Sequence, residues 1–201
     1  MDTQQEILAI CEGVDRILMS VGKSRSCIDG AALLTKSLHL MGYAKAYPLT
    51  VDVQIHNAAF LTWVGEHGIP DDDESADASN DAGGCTICIG KNAEGLDDGW
   101  PGHLVVIVPN MFGEHHLLLD PTLKQADRPE FGIVLQLICS GVTNDFVRGV
   151  EPFQISNMNG SLVRYDAYPD EHTYGNWEQI LTTPWICNRA SEIAKAVRAL
   201  Q

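Results

Sequence analysis

From Ser26 to about Met41 the chain is almost continuously apolar between a helix start and a helix stop, and no other stretch restricts the fold as much. Ser26 offers an N-cap hydroxyl, and Asp29, three residues on, stands where a capping box carries Glu. Ile28, Ala31, Leu34, Leu38 and Met41 recur at helical spacing, and Gly42 ends the run. A helix this apolar suits a position deep in a domain. Cys27 falls at or near its first residue, beside the unpaired N–H groups and the positive end of the helix dipole. Such helix starts are among the environments that make a cysteine a good nucleophile. Cys27 is therefore a candidate nucleophile, and its backbone N–H a candidate donor to an oxyanion.

The elements around this helix read as α+β. Thr3 to about Val21 predicts an amphipathic helix, with Thr3 and Glu6 as a capping box and Ile7, Cys11, Val14, Ile17, Leu18 and Val21 on one face. Tyr43 to Ile55 reads as a strand, while Ala58 to Val64 is too short to assign. Pro70 to Gly84 carries Asp71, Asp72, Asp73, Glu74, Asp77 and Asp81 with no apolar period, so a solvated loop, an insertion or lid, is expected. It lacks the spacing and central Gly of a calcium-binding EF-hand. Thr86 to Ile89 predicts a short strand, followed by a Gly- and Asp-rich loop from Gly90 to Gly102. His103 to Val108 is a β-branched run typical of a buried strand, and Pro109 to Glu114 turns the chain into a second strand, His115 to Leu119. Phe131 to Ile138 fits a strand or a short helix. Phe153–Met158 and Ser161–Tyr168 flank Asn159-Gly160 and predict a hairpin. Thr183-Pro184 opens a last helix, with Trp185, Ile186, Ala190, Ile193, Val197 and Leu200 on its apolar face. No repeat or linker divides the chain, so one domain over residues 1–201 is the economical expectation.

Charge narrows the partners. Thirteen basic against 27 acidic residues give a formal charge of −14, which argues against nucleic acid and against an anionic membrane surface. The polar start Met1-Asp2-Thr3-Gln4-Gln5-Glu6 has no signal-peptide pattern and no apolar run is long enough to span a bilayer, so a cytoplasmic protein is the default expectation. Six cysteines in 201 residues are too sparse for a disulfide scaffold. Cys11, Cys139 and Cys187 read as core residues.

Three side chains stand at element ends that topology can bring together. Cys27 opens a helix, His103 opens a strand, and Asp120 closes the next one. In an antiparallel hairpin the start of one strand lies beside the end of its partner, so His103 and Asp120 should meet at one rim. A nucleophile needs a base, and the base needs a third group to orient it.

The order Cys, His, Asp, the helix pattern Cys27-x3-Ala31-x2-Leu34-x3-Leu38-x3-Gly42-Tyr43-Ala44, and the pair His103-x16-Asp120-Pro121-Thr122 together resemble the core of the transglutaminase-like superfamily. The resemblance spans roughly Ser24 to Thr122, and its Asp-Pro-Thr ending is the most specific part. It implies a papain-like fold, a Cys-bearing helix packed on an antiparallel sheet that carries His and Asp, with N- and C-terminal helices added. It also implies that Cys27 is the nucleophile, His103 the base and Asp120 the orienting acid of a thiol amide hydrolase, deamidase or acyltransferase. The expected substrate is a protein, peptide or small amide or acyl compound, and no cofactor is called for. Members often carry an aromatic residue soon after the His, where this chain has Leu104 and Val105. Trp100 is a candidate cover for the cleft. Arylamine N-acetyltransferases share the triad order, but their Arg-Gly-Gly before the cysteine is missing here. A binding module with a vestigial triad is the non-enzymatic alternative. Cys85-Thr86-Ile87-Cys88 is a single Cys-x-x-Cys and reads first as structural; it is a weak metal candidate because zinc takes four ligands, to which His115-His116 could contribute, and a redox role would want it at a helix N-terminus.

Overall fold

A computed structural model describes residues 2–22, 26–90, 102–113, 115–169 and 176–200. Its elements, in chain order, are α1 (Thr3–Ser20), α2 (Cys27–Leu40), β1 (Tyr47–His56), α3 (Ala58–His67), α4 (Asp73–Asp81), β2 (Thr86–Ile89), β3 (His103–Phe112), β4 (His115–Asp120), β5 (Ile138–Val142), α5 (Asn144–Val147), β6 (Phe153–Ser156), β7 (Leu162–Ala167), α6 (Trp177–Leu181) and α7 (Pro184–Arg198). The fold is α+β, with a wholly antiparallel set of strand pairs and helices at both ends of the chain.

The sheet runs β5-β4-β3-β1-β7-β6, with β2 attached to β1. β1 is the spine. Its first half, Tyr47–Val51, pairs with β3, and its second half, Val53–His56, pairs with β2, while β7 runs along Val51–His56 on the other edge. Period-two alternation divides the sheet into two apolar faces. Leu104, Val106, Val108, Leu117 and Leu119 pack with α1, α2 and α7. Leu49, Val51, Val53, Ile55, Val105, Ile107, Leu118 and Tyr165 form the second cluster, closed by Leu123, Ile133, Leu135 and Phe146. α2 touches α1, α6 and α7 as well as β1 and β3, and buries nine residues from Cys27 to Leu38, as its apolar sequence demands.

Several boundaries differ from expectation. The α1 cap is Asp2, whose carboxylate accepts from the Gln5 N–H at 2.8 Å while the Gln5 amide oxygen accepts from the Asp2 N–H at 3.2 Å. Glu6 is thereby freed to accept the Tyr43 hydroxyl at 2.7 Å. The acidic stretch expected as a loop contains α4. A reciprocal Asp72–Ser75 capping box starts it, Asp73 and Glu74 sit favourably in its first turn, and Ser79 is buried. The unassigned Ala58–Val64 belongs to α3, capped by Asn57. β1 starts at Tyr47 because the chain turns through Tyr43–Ala46 after α2. β3 runs past Pro109 to Phe112, its register with β4 slipping between Val108 and Phe112 around Asn110, whose φ is +57°. Within Phe131–Ile138, only Ile138 joins a strand, and Pro129–Phe131 form a 3₁₀ turn. Among the described residues no helix is long and apolar enough to cross a membrane.

Candidate active site

Ser26 caps α2 as its sequence predicts, its Oγ accepting from the Asp29 N–H at 3.2 Å, so Cys27 is the first helical residue. Its N–H is one of the four that an α-helix leaves unpaired at its start. One turn on, Gly30 lies against the segment that follows β4. A Cβ at Gly30 would stand 2.4 Å from Thr122 Cγ2 and 3.7 Å from Pro121 Cγ. The missing side chain lets the helix start close on the Asp-Pro-Thr corner.

At that corner His103 opens β3, paired with Val51 of β1. Gly102 precedes it with φ +128°, in a place where a Cβ would meet the Val51 carbonyl oxygen at 2.9 Å. Only glycine brings the chain onto the sheet there. His103 alternates in phase with Val105 and Ile107, and Asp120 with Leu118, all of the second cluster, whereas Cys27 belongs to the helix-side cluster. The group therefore straddles the end of the sheet.

The three predicted residues converge. His103 Nε2 lies 2.8 Å from Asp120 Oδ2, both side chains being fully buried. Cys27 lies near enough to the same imidazole to favour its charged form. Asp120 also accepts from the Tyr165 hydroxyl at 3.1 Å, the Thr122 N–H at 3.0 Å and the Thr122 hydroxyl at 3.2 Å. With Nε2 committed to Asp120, Nδ1 is the ring nitrogen left for other partners. Gln125 stands at that nitrogen, its Nε2 3.1 Å from Nδ1.

The electrostatics follow from burial and pairing. Burial opposes a charge on His103, but the charge and hydrogen bond of Asp120, helped by those of Cys27, outweigh it and push the pKa from 6.5 up to about 10. Burial likewise opposes a carboxylate at Asp120, yet the charge and hydrogen bond of His103, the Thr122 N–H and the Tyr165 hydroxyl hold its pKa below the ordinary value. The pair is thus an imidazolium–carboxylate ion pair at neutral pH. It can orient a proton toward whatever occupies the Nδ1 side of the ring. Cys27 itself is 1% exposed.

The remaining candidates fall elsewhere. Trp100 lies outside the described residues, as do Ser24 and Arg25 at the front of the Cys27 stretch. Cys85 extends the ladder of β2 and, like Ile87 and Ile89, packs against the second cluster, while Cys88, three residues on, is exposed. Extended backbone points residues three apart to opposite faces, so these thiols cannot close on one metal. His116 has both ring nitrogens engaged, by Asn144 Oδ1 at 2.6 Å and the Asn110 N–H at 3.4 Å. Among the described residues no group of three or more His, Cys, Asp or Glu side chains is placed to hold a metal ion. Cys11 is fully buried on α1, as expected of a core thiol, and Cys139 and Cys187 are part-buried.

Sequence reading missed Gly30, Gln125 and Tyr165. Gln125 carries a faint signal in standing five residues after Asp120, in the 3₁₀ turn Leu123–Ala126. Tyr165 carries none, because it reaches Asp120 from a strand 45 residues away. No protein-family model, curated protein or solved structure matches the chain.

Proposed function

We propose that the chain is a cysteine-nucleophile enzyme that cleaves or transfers an acyl group held in an amide, on a papain-like fold of the transglutaminase-like kind. One observation carries this reading: an imidazole and a carboxylate from adjacent strand ends are hydrogen-bonded at the rim of the sheet, and a helix that starts with a thiol packs against the same corner.

In this mechanism the Cys27 thiolate attacks the acyl carbon, and the carbonyl π electrons move to its oxygen. The His103 imidazolium passes its Nδ1 proton to the leaving nitrogen as the C–N bond breaks, leaving a thioester. Asp120 keeps the proton on Nε2 throughout and stabilises the imidazolium on either side of the step. Water or an amine then gives a proton to Nδ1 while its oxygen or nitrogen displaces the sulfur. Hydrolysis, deamidation and transamidation share this scheme and differ only in the acceptor. The Cys27 N–H, unpaired by the helix, is the proposed oxyanion donor.

The test is iodoacetamide labelling of the six cysteines across pH, with peptide mapping, in wild type and His103→Ala. Cys27 should label fastest near neutral pH, and loss of His103 should slow it at least about tenfold. Labelling that passes over Cys27, or that ignores His103→Ala, would sink the mechanism. Once a substrate is found, the rate should fall on the basic side near pH 10 rather than near 6.5, because proton delivery ends when His103 loses its charge.

A further inference from the structure

Gln125 is mounted on the same corner as Asp120 and Thr122. Its N–H donates to the Thr122 carbonyl at 3.0 Å, and Leu123 and Ala126 on either side of it are buried. The turn that satisfies Asp120 through Thr122 therefore also aims the Gln125 carboxamide at the far nitrogen of the same ring. The imidazole is held at both ends, by a carboxylate that only accepts and by an amide that both donates and accepts.

That difference matters because the two nitrogens have different duties. Nε2 keeps its proton, while Nδ1 gains and loses one in each half of an acyl transfer. An imidazolium Nδ1–H needs an acceptor; the neutral ring leaves a lone pair that needs a donor. A carboxamide serves both, offering Oε1 in the first state and Nε2–H in the second by a half-turn of its terminal bond. No other natural side chain of that length does so without charge.

We propose that Gln125 is a positioning residue that holds His103 Nδ1 in line with the Cys27 sulfur in both protonation states of the ring. This rests on the acyl-transfer reading of the site. When the imidazolium has given its proton to the leaving nitrogen, the Gln125 amide donates into the emptied Nδ1 and keeps the ring from swinging away. When water is deprotonated in the second half, the amide yields that nitrogen to the incoming proton. Among the described residues the groups that bear on the ring are Asp120 on β4, Cys27 on α2 and Gln125 itself, with Tyr165 of β7 behind Asp120.

Two variants test it. Gln125→Glu keeps the length but can only accept and adds a negative charge at Nδ1. Gln125→Met keeps the shape and removes both functions. Gln136→Glu makes the same charge change at an exposed position and serves as control. The first readout needs no substrate: the fraction of His103 protonated at pH 10, from its ring 15N shifts. Wild type should be about half protonated and Gln125→Glu about nine-tenths or more, with Gln136→Glu like wild type. An unmoved His103 in Gln125→Glu overturns the proposal, whatever the protein's activity.

The second readout separates positioning from simple support. Iodoacetamide requires no proton from His103, whereas a Cys27 thioester formed from a peptide amide does. Gln125→Met should alkylate within about twofold of wild type yet form thioester at least tenfold more slowly. Equal loss of both rates would make Gln125 merely structural and overturn the proposal. Failure of wild type to form any thioester counts against the acyl-transfer reading, and the titration then decides whether Gln125 holds the ring.

Discussion

Thr122 stands where a side chain on residue 30 would have to go, so this contact limits how closely the start of α2 approaches the Asp-Pro-Thr corner. The Cβ of an alanine at Gly30 would lie 2.4 Å from Thr122 Cγ2, with Leu18 Cδ1 at 3.3 Å behind it. Gly30→Ala should therefore cost about 1–3 kcal/mol in urea unfolding, the usual penalty of overpacking, despite alanine's better helix propensity. It should also slow Cys27 alkylation; unchanged stability would mean that the Thr122 methyl simply turns aside. Asp120 is the second residue on which the site depends, since it accepts four hydrogen bonds while fully buried. Asp120→Asn leaves a buried cation without its partner and should cost about 3–5 kcal/mol near pH 6. The sign of its pH dependence is set by the pair. Stability from His103 is complete below its ordinary 6.5 and lost as pH rises through about 10. Stability from Asp120 is present above its ordinary 3.8 and lost as pH falls through its depressed value. Unfolding free energies of wild type and Asp120→Asn should thus differ most between about pH 4 and 6.5 and converge toward pH 10. A gap that widens above pH 8 would contradict the ion pair.

At the scale of elements, Asn57 shows how one side chain joins segments that the sequence leaves separate. It is 4% exposed, and its Oδ1 accepts from the Phe60 N–H that starts α3 and from the Cys85 N–H beside β2. Its Nδ2 donates to the carbonyls of Gly83 and Phe131. Asn57→Ala removes a cap and strands buried partners, so a loss of about 2–4 kcal/mol is expected, against about 1 kcal/mol for a cap alone. Asp72→Ala is the contrast. It starts α4, whose only buried residue is Ser79, so its loss should speed amide hydrogen exchange in Asp73–Asp81 and leave the global unfolding midpoint nearly unchanged. The same pair explains what could be read from sequence. α1, α2 and α7 were legible because each must bury an apolar face. α3 and α4 were not: no residue of α3 is buried, and only caps distinguish α4 from an acidic loop. The β3–β4 hairpin was legible in its buried halves, but its extension past Pro109 was not, because a bulge lets a strand carry a proline.

Over the whole molecule, charge is unevenly shared. No Lys or Arg occurs between Lys45 and Lys91, while Asp52, Glu66, Asp71, Asp72, Asp73, Glu74, Asp77 and Asp81 fall in that interval. With a formal charge of −14, self-repulsion opposes the compact state. Raising ionic strength from about 10 to 200 mM, which shortens the screening length from about 30 Å to under 10 Å, should raise the thermal midpoint; a fall would mean that surface ion pairs such as Lys124–Asp15 dominate.

The sequence by itself determined which segments must be buried, where α2 starts, and that Cys27, His103 and Asp120 occupy element ends. Those properties are local, following from apolar period, capping chemistry and strand reversal. Tertiary structure alone decided that the helix start meets the hairpin's rim across the end of the sheet. It also decided that Gly30 permits that approach, that Tyr165 completes the shell of Asp120, and that Gln125 takes the free side of the imidazole. These depend on the distances between elements, which are set by packing and cannot be read from any one of them.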